Sequence, residues 1–392
     1  MVVMKNWRIA LWCGTIVLCL GLLVNCSSDN NSTETTDDDD PVGTTDDDPV
    51  DGTDDDPMDG ENGFVTLLTN QIDEVIIPTM ANYQEQTEAL LNAANTFVET
   101  RNEANLTALR VAYQEAYLAY QAAGVHDYFI TSNLGLVDTS NLFPVDLAQL
   151  DTFIEDEAYS FNASSQERAS GYPALDYMLF GPDNVIDYFN ADEKRGAFMA
   201  ALVLFLKEKA DLLVQEWSET DLRTAFINSS GTGAGSSISS QLNKTMVYYE
   251  IHVRENKVGI PIGRVGPNDS PIDPDPTKIE GYYQSLVDGN DSFALSLVQV
   301  AIEEMEDLYL GSTSDGSDGQ GYDDLVIAAE QASIDTELKA QFQSIYDELD
   351  GRTSISGNSD LYDKVQGIVT VFKSDLFPVL NVEDTDMLND GD

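Results

Sequence analysis

The chain contains few cysteines and histidines for its 392 residues: three of the former and two of the latter. Cys13 and Cys19 lie in an apolar stretch near the start, so only Cys26 would remain in a processed chain. A single cysteine can form neither an internal disulfide nor a thiolate metal centre, and stability must therefore come from packing. His126 and His252 are the only imidazoles that could serve as metal ligands or general bases.

Basic residues are scarce as well. Two of the 19 Lys and Arg precede residue 9, and 15 of the 70 Asp and Glu lie between residues 29 and 62, so the chain from residue 64 onward has a formal net charge of −38. Such a field disfavours nucleic acid and anionic lipid headgroups, and it favours cations, cationic peptides or a basic protein surface. Acidity that serves solubility alone is the alternative.

The chain also lacks an apolar run long enough to span a membrane comfortably. Its most apolar stretch, residues 9–24, follows two basic residues and predicts a signal peptide over residues 1–25. The sequence Leu-Val-Asn-Cys (23–26) resembles a bacterial lipobox, with Cys26 as the lipidated first residue of the mature chain. We therefore expect an outer-membrane lipoprotein of the cell envelope, periplasmic or surface-exposed, that is anchored in the membrane through Cys26. An ordinary signal peptide with a chance cysteine is the alternative.

Residues 26–63 contain no Lys or Arg and almost no aliphatic side chains. They repeat Thr-Asp-Asp-Asp-Pro-Val, or a close variant of it, at 36–42, 45–50 and 53–58. Like charges repel one another and too little apolar surface is present to form a core, so we predict a disordered acidic tether. A calcium site is the alternative, although the spacing lacks the glycine and terminal glutamate of an EF-hand loop.

Beyond residue 63, apolar residues recur at steps of three and four, which is the spacing of one helix face. The clearest case comprises Leu106, Leu109, Ala112, Tyr113, Ala116, Tyr117, Tyr120 and Ala123. The same spacing occurs in residues 66–98, 192–217, 290–310, 335–349 and 358–376. Few segments alternate with a period of two. The sequence therefore predicts an all-α fold built from helical bundles.

A segment rich in glycine and serine, residues 229–240, interrupts the helical pattern. Composition shifts of this kind are typical of links between compact units. They predict a first bundle over residues 64–228, a second over 238–382, and an acidic tail over 383–392.

Three short motifs occur in a characteristic order. They read Asn-Leu-Phe-Pro-Val-Asp (141–146), Gly-Tyr-Pro-Ala-Leu-Asp-Tyr-Met-Leu-Phe-Gly (171–181) and Asn-Lys-Val-Gly-Ile-Pro-Ile-Gly-Arg (256–264). Together with the long helix that ends at Trp217, they resemble the imelysin family, whose signature is G-x-H-x-x-E followed by an apolar run. The resemblance covers most of residues 64–392.

The resemblance implies two helical bundles with a cleft between them. It also implies one of several roles, because the family includes proteins described as metallopeptidases, iron-regulated envelope proteins and parts of an iron-uptake system. Many members are lipoproteins, which agrees with the pattern around Cys26.

The histidine and glutamate positions of the family's signature are occupied by other residues in this chain. Pro173 stands where the family has histidine, and Asp176 stands where it has glutamate. Proline has no lone pair to offer a metal but suits the first turn of a helix, so we expect a helix to begin at Pro173. A carboxylate in the same first turn would stabilise that helix through its dipole, and this is the structural interpretation of Asp176.

Other candidate site residues follow from the motifs. The family match assigns ligand-binding positions to Gly171, Asp176, Asp146, Lys257 and Arg264. For Lys257 and Arg264, the functional interpretation is an anion or carboxylate clamp, and the structural one is an ion pair beside a tight connection.

A divalent metal such as iron could use Asp176 with His126 and His252, and Asp146 could join them. Nothing in the sequence shows that these residues meet. The cofactor therefore stays open, with iron or another divalent metal as the candidate.

We expect a non-catalytic binding component linked to iron or haem uptake, with a metal, haem or an outer-membrane transporter as partner and no role for nucleic acid. A metallopeptidase with an altered metal site is the alternative, and a purely structural surface protein is a third. The iron link rests on the family resemblance alone.

Overall fold

The computed structural model describes residues 60–157, 159–162, 168–218, 220–264, 273–314 and 316–385. Helices are the regular secondary structure of this part of the chain, and it contains no β-strand. The all-α prediction is confirmed. The signal peptide, Cys26, nearly all of the acidic tether and the end of the tail lie outside the described residues.

The helices before the glycine- and serine-rich segment are α1 (Gly60–Asn70), α2 (Ile77–Glu99), α3 (Glu103–Val125), α4 (Ile130–Asn133), α5 (Leu136–Ser140), α6 (Leu147–Asp156), α7 (Gly171–Phe180), α8 (Val185–Ala191), α9 (Glu193–Ser218) and α10 (Thr220–Asn228). Those after it are α11 (Ser237–Tyr248), α12 (Ile260–Ile262), α13 (Tyr282–Asp288), α14 (Ser292–Leu310), α15 (Tyr322–Ala328), α16 (Ala332–Leu349), α17 (Ser359–Val371) and α18 (Phe377–Val379). Wider π-helical turns occupy Gln71–Ile76, Tyr249–Gly259 and Phe372–Leu376.

Helix α3 shows why helices could be predicted from the local sequence pattern. The side chain of Asn102 accepts a hydrogen bond from the backbone N–H of Asn105 at 2.9 Å, which caps the first turn. Leu106, Tyr113 and Tyr117 are buried along one face, as the spacing predicted.

The two sets of helices share their core. Helix α2 packs along α3 and α9, whereas α3 also packs against α14 from the second set. The described residues form one compact unit. The division into two bundles at residues 228 and 238 stays a prediction.

Aromatic rings join α3 to α7, the helix that carries the signature motif. The rings of Tyr117 and Tyr172 stack with centroids 4.5 Å apart and an interplanar angle of 3°. The Tyr172 hydroxyl donates to the backbone carbonyl of Ala116 at 3.1 Å. This contact holds the start of α7 firmly against the core.

No helix among the described residues is both long enough and apolar enough to cross a membrane.

Candidate functional site

A glycine sets the entry of the chain into α7. Gly171 has a φ of +67°, and a Cβ atom added there would lie 2.1 Å from the backbone oxygen of Ser140. Only glycine tolerates both the backbone conformation and the close approach. Gly171 therefore shapes the backbone and is not part of the cavity wall described below, although the family match had assigned it to ligand binding.

Asp176 caps a different helix from the one that carries it. Its Oδ2 accepts the backbone N–H of Tyr283 at 2.8 Å, and its Oδ1 accepts that of Gln284 at 3.1 Å. These are the second and third residues of α13, whose preceding residue, Gly281, has no side chain with which to cap it. Asp176 supplies the missing cap.

This arrangement corrects two expectations. Helix α7 begins at Gly171, so Pro173 lies in its first turn but does not begin it, and Asp176 lies beyond that turn. The stabilising role expected for Asp176 is real, but the helix that benefits is α13. Burial raises the pKa of Asp176 to about 7, against the opposing effect of the two backbone N–H donors.

A second buried carboxylate, Glu280, lies at the centre of a hydrogen-bond network. Its Oε1 accepts from Nζ of Lys257 at 2.8 Å and from Nδ2 of Asn141 at 2.7 Å. Its Oε2 accepts from Nε2 of Gln121 at 3.0 Å, while the Tyr117 hydroxyl donates to Oδ1 of Asn141 at 2.5 Å. All five side chains are buried. Each of the first and third motifs thus contributes one residue to the network.

The two carboxylates line one cavity of about 130 Å³. Its wall consists of Tyr117, Phe143, Pro144, Val145, Pro173, Asp176, Thr277, Ile279, Glu280, Gly281, Tyr282 and Tyr283. Both altered positions of the signature, 173 and 176, face this space. The cavity is therefore the candidate functional site.

Lys257 lies on the π-helical segment Tyr249–Gly259, where it serves as an internal clamp for Glu280. Burial lowers the pKa of Lys257, and the Glu280 carboxylate opposes that shift. On the same segment, burial together with the charge of Lys257 lowers the pKa of His252 to about 3, so its imidazole is neutral at physiological pH. The His252 ring lies against Tyr248, with centroids 5.1 Å apart.

His126 belongs to a separate buried network. Its Nδ1 is 2.9 Å from the Tyr128 hydroxyl, and its Nε2 is 2.7 Å from Oε1 of Glu304. Nε2 of Gln241 donates to the Tyr128 oxygen in the same network.

The remaining sequence candidates lie at the surface. Asp146 caps α6 by accepting the backbone N–H of Gln149 at 3.0 Å. Arg264 pairs with Asp363 at 2.6 Å and lies over the ring of Tyr362, which supports the structural interpretation of this arginine.

A metal site made of the four residues suggested by the sequence is not assembled. Within the ranges that the structure describes, no three His, Cys, Asp or Glu side chains are grouped so that they could hold a metal ion. The structure therefore does not bring His126, Asp146, Asp176 and His252 together.

Glu280, Gln121 and Tyr117 were not singled out as site residues from the sequence. Glu280 is one acid among 55 in the chain from residue 64 onward, and a single carboxylate between Ile279 and Gly281 gives no signal of burial. Asn141 is the first residue of the first motif (141–146), so that motif could have identified it as a site residue.

The raised pKa of Asp176 predicts a pH dependence of stability. The folded protein retains a proton that the unfolded chain releases between pH values of about 4 and 7, so the free energy of unfolding should fall across this range, by up to roughly 1.4 kcal/mol per pH unit. Above pH 7 this contribution should level off. Urea unfolding of the wild type and Asp176→Asn at several pH values measures it, because their difference cancels all other titrations. A difference that does not vary with pH would contradict the prediction.

Comparisons with known proteins identify the family of the chain and support its fold. A family model described as Imelysin (peptidase M75) matches residues 76–373. An imelysin-like protein from Psychrobacter arcticum 273-4 is similar in structure, with a TM-score of 0.63 and 15% identity over 83% of this chain and 98% of that one. A protein from Parabacteroides distasonis ATCC 8503, assigned as an iron-regulated protein A precursor, has a TM-score of 0.61 and 13% identity over 82% and 95%. At these identities the likeness concerns the fold. No curated protein sequence matches the chain significantly.

Proposed function

Because the chain belongs to the imelysin family, we propose that it is a non-catalytic binding component of the bacterial cell envelope, linked to iron uptake. The resemblance found in the sequence motifs is confirmed by the family match. Because the family includes proteins described as metallopeptidases, the question for this site is whether it has the ligands that a catalytic metal requires.

The state of the two cavity carboxylates is the observation that carries this proposal. Both oxygens of Asp176 accept backbone N–H groups of α13, and both oxygens of Glu280 accept protein donors, including the ammonium group of Lys257. A zinc peptidase needs three protein ligands and an open position for water. Among the residues that line the cavity, only Asp176 and Glu280 are of the types that bind zinc, and the side chain of Pro173 offers no lone pair. The residues do not fit a catalytic metal.

The other parts of the proposal have weaker but separate support. The iron link is supported by the iron-regulated name of the similar Parabacteroides protein. Anchoring through Cys26 at the outer membrane is supported by the leader and lipobox pattern, and an outer-membrane transporter is the partner that such placement suggests. The cavity of about 130 Å³ is smaller than the roughly 300–1,000 Å³ of sites for drug-sized ligands, which favours a small ligand over haem.

Metal content and peptidase activity test the proposal. Purified protein without its lipid anchor, residues 27–392, should contain no stoichiometric zinc after dialysis and should leave insulin B chain intact in mass spectra, with a zinc peptidase run in parallel as the positive control. One tightly bound zinc per chain, lost together with cleavage in Asp176→Ala, would instead establish the metallopeptidase.

A further inference from the structure

The candidate cavity has a buried end and an exposed end. Tyr117, Asp176 and Glu280 in its wall are buried, whereas Pro144 and Thr277 are exposed. A ligand that enters from solvent would therefore meet the two carboxylates last.

Both carboxylates retain acceptor capacity at this buried end. An ionised carboxylate offers about four lone-pair sites. Glu280 uses three of them, for Lys257, Asn141 and Gln121, and Asp176 uses two, for backbone N–H groups. The spare sites can be used by a ligand that donates hydrogen bonds or by a cation.

The cavity wall also contains aromatic residues. Phe143, Tyr282 and Tyr283 line it together with Tyr117, and aromatic faces attract organic cations but do not coordinate metal ions. An anion would be opposed by the carboxylates and by the net charge of −38 from residue 64 onward. The spare acceptor sites of the carboxylates, the aromatic residues of the wall and the negative charge of the protein therefore point to one class of ligand.

We propose that this cavity binds the protonated amino group of a small alkylammonium ion, with Asp176 and Glu280 accepting its N–H groups and the aromatic rings enclosing its alkyl part. The volume of about 130 Å³ is close to the 150 Å³ of a protein cavity that holds benzene, so a ligand of about five or six non-hydrogen atoms fits. The inference rests on the proposed function only in that it treats the cavity as a binding site. The ammonium group could belong to a free amine or to a lysine side chain of a partner protein.

Butylammonium and 1-butanol form a matched pair of probes, because they have the same number of non-hydrogen atoms and differ in charge. In NMR titrations of purified protein (residues 27–392) at a pH above the Asp176 pKa of about 7, where this carboxyl is mostly ionised, butylammonium should bind at least tenfold more tightly than 1-butanol. Tyr282→Leu should weaken butylammonium binding by roughly threefold to tenfold, because the contact between the aromatic ring and the alkyl chain is lost. Tyr362→Leu, an aromatic change outside the cavity, should leave the binding unchanged.

A third probe identifies the source of the ammonium group. Nα-acetyl-lysine amide should bind at least as tightly as butylammonium if the natural ligand is a lysine side chain, and more weakly if it is a free amine; each result supports the shared chemistry. Equal affinity for butylammonium and 1-butanol, or binding unaffected by Tyr282→Leu, would overturn the inference. Neither result would affect the proposed function, which the zinc and cleavage measurements decide.

Discussion

Replacing Gly171 by alanine should destabilise the protein by about 3 kcal/mol or more. The residue has a φ of +67°, which alone costs an L-amino acid about 1–2 kcal/mol. The added Cβ would also lie 2.1 Å from the carbonyl oxygen of Ser140, so the backbone at the start of α7 would have to move. Such a shift would disturb the Tyr117–Tyr172 stack and the position of Asp176. Urea unfolding followed by circular dichroism measures the loss.

A second glycine separates the two contributions. Gly289 has a φ of +68°, and a Cβ atom added there would meet nothing within 4 Å. Gly289→Ala should therefore show the conformational cost of about 1–2 kcal/mol and no more. Equal losses in Gly171→Ala and Gly289→Ala would mean that the contact with Ser140 relaxes freely, and the close approach would then have no role at the site.

The fold class could be predicted because helix formation leaves a local pattern in the sequence. The segment 102–124 has a capping asparagine at its start and apolar residues at steps of three and four, and the structure has α3 over Glu103–Val125. Pro78, which lies within the helical pattern of residues 66–98, does not interrupt the helical backbone. The chain passes through the π-helical turn Gln71–Ile76 and re-enters an α-helix with Pro78 in its first turn.

The partners in the site could not be predicted, because they are distant in the chain. Asp176 caps residues 107 and 108 positions later, and no local pattern marks α13 as a helix that lacks its own cap. The chemical argument about Pro173 needed no structure, because a residue without a lone pair is excluded as a ligand wherever it lies. What the sequence could not show was that Asp176 caps α13.

The two carboxylates connect separate parts of the chain to one cavity. Asp176 joins α7 to α13, while Glu280 joins Lys257 of the π-helical segment to Gln121 of α3 and to Asn141. Ser140, which precedes Asn141, is the residue that approaches Gly171. The shape of the cavity therefore depends on contacts that each bridge at least two segments, and a change in one should alter the others.

Replacing Lys257 by methionine should be the most destabilising change within the Glu280 network, by about 3–5 kcal/mol. Lys257 and Glu280 are both buried, with Nζ and Oε1 2.8 Å apart. Without the ammonium group the carboxylate keeps its hydrogen bonds from Asn141 and Gln121 but loses its counter-charge in an apolar interior. The free energy of unfolding from urea titrations is the measurement. Arg264→Met, which removes an exposed pair with Asp363, should cost about 1 kcal/mol or less.

The double variant Lys257→Met with Glu280→Gln tests whether charge is the cause. A neutral glutamine at position 280 can still accept from Asn141. Its new N–H group can donate to Oε1 of Gln121 once the Gln121 amide flips, because this oxygen has no hydrogen-bond partner among the described residues of the wild type. The double variant should therefore recover most of the stability lost in Lys257→Met. If it is no more stable than Lys257→Met alone, the loss comes from the packing of the lysine side chain, and the ion pair is not what holds Glu280 at the cavity.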